Sequence, residues 1–311
     1  MAGEPPLFRH GVDLGGTKTE IVSLDGAGRE ILRHRATTPR GDYAALVKAV
    51  AALVRAAEAT LGGTGTVGVG IPGAISPASG LIKNANTTEL IGRDLAGDLG
   101  AALERPVRIA NDADCFALSE ATDGAGAEAP SVFGVILGTG VGGGIVVGGR
   151  LLQGPNAIAG EWGHNPLPWP RDEERPGPAC YCGKQGCIET FLSGPGLALD
   201  HQAAGGPPLT AHEIATAAAS GDFAAGESLH RYKMRLARAL ATVINILDPH
   251  VIVLGGGLSN VEALYSALPG LIAPWVFSDA CSTPIRRPQH GDSSGVRGAA
   301  WLWPAAPSDG I

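Results

Sequence analysis

The chain has 311 residues and a formal net charge of −7 at pH 7. This length exceeds the usual size of one domain, and 44% hydrophobic residues are enough for a large core, so we expect two folded domains. The 23 Lys and Arg residues are scattered along an acidic chain, which excludes nucleic acid as an expected ligand. Every apolar run is shorter than the roughly 20 residues that span a bilayer, so we expect a cytoplasmic protein without membrane contacts.

The first half of the chain alternates predicted strands and helices. Residues 8–24 alternate apolar with small and polar residues around the turn LGGTKT, which predicts a β-hairpin with a glycine-rich tip. Residues 43–61 carry apolar side chains at three- and four-residue spacing, which predicts a helix with one buried face. Further elements are predicted at residues 67–71 (strand), 95–103 (helix), 107–110 (strand) and 113–121 (helix). This alternation is typical of an α/β fold.

The second half opens with the same pattern of strand, glycine turn and strand, VFGVILGTGVGGGIVVGGR at residues 132–150. The string GVxLG occurs near the start of both halves, at Gly11–Gly15 and at Gly134–Gly138. A loop-rich stretch is predicted at residues 154–196, a strand at 251–254, and helices at about 224–247, 261–268 and 294–302. We therefore expect two similar α/β domains that face each other across a cleft.

The domain division is predicted between the two repeated patterns. The first domain covers residues 1–115, with a C-terminal helix at residues 294–311 that packs back on it. The second domain covers residues 116–293 and contains the loop at residues 160–189. Both glycine-rich tips would then lie in the cleft between the domains.

Three glycine-rich turns each follow a predicted strand. They are Gly15-Gly16-Thr17-Lys18, Gly138-Thr139-Gly140 and Gly255-Gly256-Gly257. Glycine lets backbone N–H groups approach phosphate oxygens closely, so three turns at the same topological position favour a nucleotide site over plain turns. A P-loop is excluded because GxxxxGK[ST] is absent, and a Rossmann site is disfavoured because no GxGxxG opens a helix. Asp13, before the first turn, could hold Mg²⁺ near the phosphates or only cap the turn.

Polar side chains also follow the strand predicted at residues 107–110. Asn111 and Asp112 lie at its carboxyl end, where open α/β sheets bind their ligands. Asp112 could accept a proton from a sugar hydroxyl that attacks a phosphate, and a plain helix N-cap is the alternative. Asn84 and Asn86, in the loop KNANTT, could bind sugar hydroxyls through their amides or be ordinary turn residues.

A cysteine cluster is the strongest single signal in the sequence. Cys180, Cys182 and Cys187 lie within CYCGKQGC, and His164 precedes them. Three thiolates and one imidazole complete a tetrahedral site, and four protein ligands are typical of a structural zinc rather than a catalytic one. The segment WPRDEERPGP between the ligands is polar and proline-rich, so we expect it to have little to pack against without the metal.

Two glutamates flank these ligands. Glu161 lies in GEWGH and Glu189 follows the last cysteine of the cluster. Carboxylates can accept hydrogen bonds from an array of sugar hydroxyls, and a solvated surface position is the alternative for both.

Together these motifs resemble the ROK (repressor, open reading frame, kinase) family. The resemblance is carried by GVDLGGTKTE, GVGIPG, the triplet AND, LGTGVGGG, GEWGH and CYCGKQGCIE, and it covers about Gly11 to Trp303. It implies the actin-like ATPase (ribonuclease H-like) fold, with ATP and Mg²⁺ bound in the interdomain cleft. It also implies Asp112 as the catalytic base. The implied sugar contacts are Asn111, Glu161, His164 and Glu189, and the implied zinc ligands are His164, Cys180, Cys182 and Cys187.

The acceptor sugar is predicted from three further motifs. KNANTT, GEWGHNPLPW and HGDSSGVRGAAWLWP resemble the bacterial fructokinase branch, manno(fructo)kinase, which implies conversion of D-fructose to D-fructose 6-phosphate. N-acetylglucosamine kinases and glucokinases share nearly all these motifs and stay open as alternatives. A non-catalytic sugar sensor of the same fold is the alternative from another class. Only about ten residues precede the first hairpin, where ROK repressors carry a DNA-binding winged helix, so we expect a kinase. A homodimer is one option for its assembly.

Overall fold

The computed structural model describes residues 8–85, 87–291 and 294–303. The first half contains, in chain order, β1 (Phe8–Leu14), β2 (Lys18–Leu24), β3 (Glu30–Thr37), α1 (Tyr43–Leu61), β4 (Gly65–Ile71), β5 (Ala74–Ile75), β6 (Ile82–Lys83), α2 (Leu95–Leu103), β7 (Val107–Asn111) and α3 (Asp112–Thr122). The second half contains β8 (Ser131–Leu137), β9 (Val141–Val147), β10 (Arg150–Leu151), α4 (Ile188–Leu192), α5 (Gly194–Ala203), α6 (Ala211–Ala219), α7 (Phe223–Leu247), β11 (Val251–Gly255), α8 (Glu262–Ile272), β12 (Ile285–Arg286) and α9 (Ser294–Trp301).

Each half builds one five-stranded sheet, and the two sheets have the same strand order. β1 pairs antiparallel with β2 and parallel with β4, within the order β3-β2-β1-β4-β7. β8 pairs antiparallel with β9 and parallel with β11, within the order β10-β9-β8-β11-β12. The two GVxLG strings therefore fall on the corresponding central strands, β1 and β8. This confirms the prediction of two similar α/β units.

The long helices cover the sheets with their apolar faces. α1 begins after Asp42, whose carboxylate accepts the Ala45 N–H at 3.0 Å, and it ends at Gly62 in the left-handed conformation (φ 70°). The buried stripe of α1 packs in the core of the first sheet, and the stripe of α7 packs in the core of the second. None of the helices among the described residues is long and apolar enough to cross a membrane.

Two helices, α3 and α9, lie between the sheets. α3 packs on β8 and β9, while α9 packs on β1 and β4 and against α3. The approach is close because glycines leave room for backbone: a Cβ at Gly11 would fall 2.0 Å from the Val296 carbonyl oxygen, and one at Gly298 would fall 1.6 Å from that of Cys115. α3 also runs without a break through the division predicted between residues 115 and 116. The domain boundary therefore stays a prediction.

The region after β10 contains more helix than the sequence predicted. α5 and α6 were not anticipated, because they bury few large side chains: Ile214 is the buried residue of α6. Their ends are nevertheless well specified. Ser193 accepts the Gly196 N–H at the start of α5, and Thr210 and Glu213 form a reciprocal capping box at the start of α6.

Candidate active site

The first glycine turn is the tip of the β1–β2 hairpin. The Gly15 N–H donates to the Lys18 carbonyl oxygen at 3.1 Å, which closes the turn. Arg40 donates to the Gly16 carbonyl oxygen at 3.1 Å and to Thr17 Oγ1 at 2.7 Å, so a cation fixes the turn. This tip is exposed and offers backbone N–H groups to an anion.

Asp13 lies just before this tip, at the end of β1. Burial, with smaller contributions from the nearby charges of Asp112 and Glu20, raises the pKa of its carboxyl group to about 6. β4 pairs with both β1 and β7, with Gly70 opposite Asp13 and Ile71 opposite Asn111, so Asp13 and the start of α3 lie at the same edge of the first sheet.

The second and third glycine turns border a cavity with a volume of about 1300 Å³, which we call the larger cavity. Gly138 and Thr139 line one side of it, and Gly257 lines another. The remaining wall is largely apolar and comes from α6 and the neighbouring ends of α5, α7 and α8. Among the described lining residues of this cavity, none comes from the Gly15–Lys18 turn.

Gly255 and Gly256 have packing reasons for being glycine. A Cβ at Gly255 would fall 2.5 Å from the ring of Phe116, and one at Gly256 would fall 2.5 Å from the Leu137 carbonyl oxygen. Gly140 is similarly constrained, because a Cβ there would fall 2.6 Å from a carboxylate oxygen of Glu189. These contacts position the turns whether or not the same residues contact a nucleotide.

The smaller cavity has a volume of about 310 Å³, at the lower end of the range for small-molecule sites. Polar side chains that line it include Asn111, Asp114 and Glu161. Mostly apolar residues of β5 and of the segment after β10 complete its lining. A cavity of this size, with several hydrogen-bond acceptors, suits one monosaccharide.

Asn111 and Asp112 share the N-terminus of α3. The Asn111 side-chain oxygen accepts the Ala113 N–H at 2.8 Å, and its amide donates to the Gly73 carbonyl oxygen at 3.2 Å. Asp112 also accepts the Ala113 N–H, at 2.8 Å, through Oδ1. Burial and, to a smaller extent, the Glu161 charge raise the pKa of Asp112, the bond from the Ala113 N–H lowers it, and the net result is a pKa of about 6. Asn111 therefore caps the helix. Asp112 accepts the same Ala113 N–H, and its pKa is raised.

Asp114 is a cavity residue that the sequence analysis did not single out. It lies two residues after Asp112 on α3 and lines the smaller cavity. Burial, together with the charges of Glu161 and Asp112, raises the pKa of Asp114 to about 7. An acid in the first helical turn is also common because it complements the helix dipole, so no local signal marked this one.

The other predicted sugar contacts differ in position. Glu161 is exposed and lines the smaller cavity. Glu189, on α4, accepts the Val141 N–H at 2.8 Å, so one of its oxygens anchors the start of β9. Asn84 is exposed directly after β6, in the left-handed conformation (φ 54°). Asn86 lies outside the described residues.

The histidine and the three cysteines come together as predicted. Their ligand atoms all lie within 4.8 Å of one another. The Sγ atoms of Cys182 and Cys187 are 3.6 Å apart, and Cys180 Sγ lies 3.6 Å from His164 Nδ1. In a tetrahedron with normal Zn–S and Zn–N bonds these separations would be about 3.8 and 3.6 Å. The donor set and its spacing therefore fit a four-coordinate zinc ion.

His164 makes a second contact on the other side of its ring. Its Nε2 lies 2.9 Å from Tyr181 Oη, and the two rings meet edge to face with centroids 5.1 Å apart. Such a bond to the outer nitrogen orients a ligating imidazole. A sugar hydroxyl at Nε2 would share or replace this bond.

The segment between the ligands is anchored, contrary to the expectation that it has little to pack against. Glu174 is only 6% exposed and accepts hydrogen bonds from Arg235 Nε at 2.9 Å and from Arg238 Nη2 at 2.7 Å. Burial raises the pKa of Glu174, but the bonds from Arg238, the Arg171 N–H and Arg235 outweigh it and lower the pKa to about 2. Both arginines lie on α7. The prediction that the segment WPRDEERPGP has little to pack against is therefore wrong.

Comparison with known proteins identifies the family. The sequence model of the ROK family matches residues 9–306. The chain belongs to the ROK family. It is 42% identical over 297 residues to the N-acetyl-D-glucosamine kinase of Vibrio cholerae, an alignment that covers 94% of this chain and 98% of that protein.

Solved ROK structures agree with this assignment. The ROK hexokinase of Thermus thermophilus is 32% identical, with a TM-score of 0.84 over 94% of this chain and 96% of that chain. A ROK glucokinase of Streptomyces griseus, solved in complex with glucose and AMPPNP, is 27% identical, with a TM-score of 0.77 over 95% of this chain and 98% of that chain. The predictions of a ROK sugar kinase and of its fold are confirmed.

Proposed function

We propose that this ROK protein transfers the γ-phosphoryl group of ATP to the 6-hydroxyl of N-acetyl-D-glucosamine. The observation that carries the proposal is the 42% identity with an N-acetyl-D-glucosamine kinase over nearly the whole of both chains. The carboxylate-lined cavity of about 310 Å³ supports a single sugar as the acceptor. Fructose, the acceptor first expected, gives way to the alternative that the sequence had left open.

The chemical step assigns one task to Asp112. The 6-hydroxyl oxygen attacks the γ-phosphorus, a new O–P bond forms, the bond to the β-phosphate oxygen breaks, and ADP leaves. Asp112 takes the proton of the attacking hydroxyl, which a carboxylate with a pKa of about 6 can do at neutral pH. Phosphoryl transfer depends mainly on positioning and charge neutralisation, so one aligned base is sufficient.

The nucleotide is proposed to occupy the larger cavity. Gly138, Thr139 and Gly257 line it, and its apolar α6 wall suits the flat face of a base. The tip at Gly15–Lys18 would bind the terminal phosphates through its N–H groups and Lys18. Mg²⁺, which accompanies ATP, would be held near Asp13 and would neutralise phosphate charge.

The zinc ion is proposed to be structural. His164 is one of its ligands and lies three residues after Glu161, while Glu189 lies two residues after the ligand Cys187. Holding both ends of this loop would fix the two glutamates relative to each other. Zinc therefore contributes to acceptor binding indirectly, through the loop.

The test is a coupled assay of ADP release with N-acetyl-D-glucosamine, D-fructose, D-glucose and D-mannose. We expect kcat/KM for N-acetyl-D-glucosamine to exceed that for the other sugars by about tenfold or more, or roughly 1.4 kcal/mol in transition-state binding. The Asp112→Asn protein, purified in the same way, controls for contaminating kinases. A fructose value equal to or above the N-acetyl-D-glucosamine value would refute the assigned acceptor.

A further inference from the structure

The polar side chains of the candidate acceptor site differ in how many of their atoms are already bonded. Asn111, Asp114 and Glu161 line the smaller cavity, whereas Asp112 and Glu189 are not among its lining residues. Asn111 uses both its oxygen and its amide, and Glu189 uses one oxygen on the Val141 N–H. Asp112 uses one oxygen on the Ala113 N–H. None of the side-chain hydrogen bonds among residues 8–85, 87–291 and 294–303 involves the carboxylates of Asp114 or Glu161. These two acids line the cavity with their acceptors unoccupied by protein.

Asp114 is directed differently from the proposed base. Successive residues of an α-helix are about 100° apart around the axis, so Asp112 and Asp114 leave α3 about 200° apart. Asp114 is among the residues that line the smaller cavity with Glu161, and Asp112 is not. The charge of Asp112 raises the pKa of Asp13, and the charge of Glu161 raises that of Asp112. The helix thus places Asp112 near both Asp13 and Glu161, and it places Asp114 in the lining of the smaller cavity.

A purely structural role for Asp114 is poorly supported by its surroundings. The N-terminus of α3 already has Asn111 as its cap and Asp112 as its first-turn acid. A second acid there is partly buried near the negative groups of Glu161 and Asp112, and burial together with these charges raises its pKa to about 7. Without a ligand that donates hydrogen bonds, Asp114 therefore destabilises the folded state at neutral pH.

We propose that Asp114 binds the acceptor sugar directly, accepting hydrogen bonds from its hydroxyls across the cavity from Glu161. The proposal rests on the proposed function, since it takes a sugar as the occupant of the cavity. A polyol supplies several O–H donors, which match two carboxylates with free acceptor atoms. Because Asp114 leaves α3 on a different side from the proposed base Asp112, it governs sugar affinity rather than the transfer step.

The experiment compares Asp114→Ala, Asp114→Asn and Asp112→Asn with the unmodified chain. Asp279→Asn, an exposed acid outside both cavities, is the matched control. For Asp114→Ala we expect the KM for N-acetyl-D-glucosamine to rise about 10- to 100-fold, the loss expected for hydrogen bonds to a charged group. We expect kcat and the KM for ATP to change by less than about threefold. Asp114→Asn should recover part of the sugar affinity, because an amide oxygen still accepts hydrogen bonds.

The outcomes separate this proposal from the assigned activity. An unchanged sugar KM in Asp114→Ala would overturn it, and so would a loss of kcat at unchanged KM, which would mark Asp114 as a base. If the unmodified chain prefers another sugar, the acceptor assignment fails, and the same variants are compared on that sugar. If the unmodified chain phosphorylates no sugar, sugar binding to the unmodified chain and to Asp114→Ala is compared by calorimetric titration. Equal binding to both proteins, or undetectable binding to both, refutes the proposal that Asp114 binds the sugar. Thermal melting of each variant excludes unfolding as the cause.

Discussion

The two cavities proposed as the ligand sites of this ROK chain differ in the chemistry of their linings. The smaller is lined by Asp114 and Glu161, two carboxylates with free acceptors, and by Asn111. The larger is lined by glycine turns and by small side chains of α6 such as Ala215. Substitutions in the smaller cavity should therefore weaken sugar binding by removing hydrogen bonds. Substitutions in the larger cavity should weaken ATP binding by changing the shape of its wall.

Asp112, proposed to lie where the two ligands meet, should show the largest effect. Replacing Asp112 by Asn removes the proton acceptor, and we expect kcat to fall by about 10²- to 10⁴-fold. Sugar binding measured by calorimetry should stay nearly unchanged, because the amide keeps the shape of the carboxylate. Turnover close to that of the unmodified chain would show that the base is another residue.

The dependence of kcat/KM on pH in the unmodified chain tests the same residue, Asp112, without a substitution. The pKa of Asp112 is raised to about 6 by burial, so its carboxylate is ionised above that pH and protonated below it. We expect kcat/KM to fall as the pH drops through about 6, because the protonated form cannot accept the hydroxyl proton. Asp13 and Asp114 also have raised pKa values, so a macroscopic profile reports the acids of the cleft together.

Removal of the proposed zinc ion should weaken sugar binding more than ATP binding. We expect chelation or Cys182→Ser to raise the sugar KM by about tenfold or more, because a structural zinc contributes folding free energy to the loop that carries Glu161. The KM for ATP should change much less, since the lining of the larger cavity does not include the ligands. Cys281→Ser, outside the cluster, is the matched control. Full activity in protein shown by metal analysis to be zinc-free would contradict this prediction.

A bulky side chain on α6 should raise the KM for ATP rather than the KM for the sugar, and by a smaller factor than metal removal raises the sugar KM. Ala215→Trp fills part of the larger cavity, and we expect the KM for ATP to rise about fivefold or more from the cost of overpacking. The sugar KM should stay within about twofold, because Ala215 does not line the smaller cavity. Ala224→Trp, at an exposed position of α7, controls for a general effect of tryptophan. Equal changes in both KM values would argue against separate sites.

Much of this arrangement could be predicted where the sequence carries a periodic or compositional signal. The helix predicted at residues 43–61 matches α1 because its buried residues recur at helical spacing. The Cys₃His cluster could be predicted because its ligands are chemically distinctive and three of them lie within eight residues. The repeated GVxLG strings marked corresponding strands because each forms the centre of its sheet.

Other features depend on contacts between distant residues and left no local signal. The burial of Glu174 depends on Arg235 and Arg238, more than sixty residues further along the chain. The role proposed for Asp114 depends on a cavity shared with Glu161, from another part of the chain. α6 was missed because a short, alanine-rich helix that buries one large side chain shows little periodicity. The acceptor was difficult to predict because the motifs that mark a ROK kinase are common to several acceptor classes.

The most direct test of the assigned activity is an internal competition. The unmodified chain is given equal concentrations of N-acetyl-D-glucosamine and D-fructose with limiting ATP, and the two sugar phosphates are quantified by mass spectrometry. The product ratio equals the ratio of kcat/KM values, and we predict an excess of N-acetyl-D-glucosamine phosphate of more than about tenfold. An equal yield, or an excess of fructose phosphate, would contradict the account.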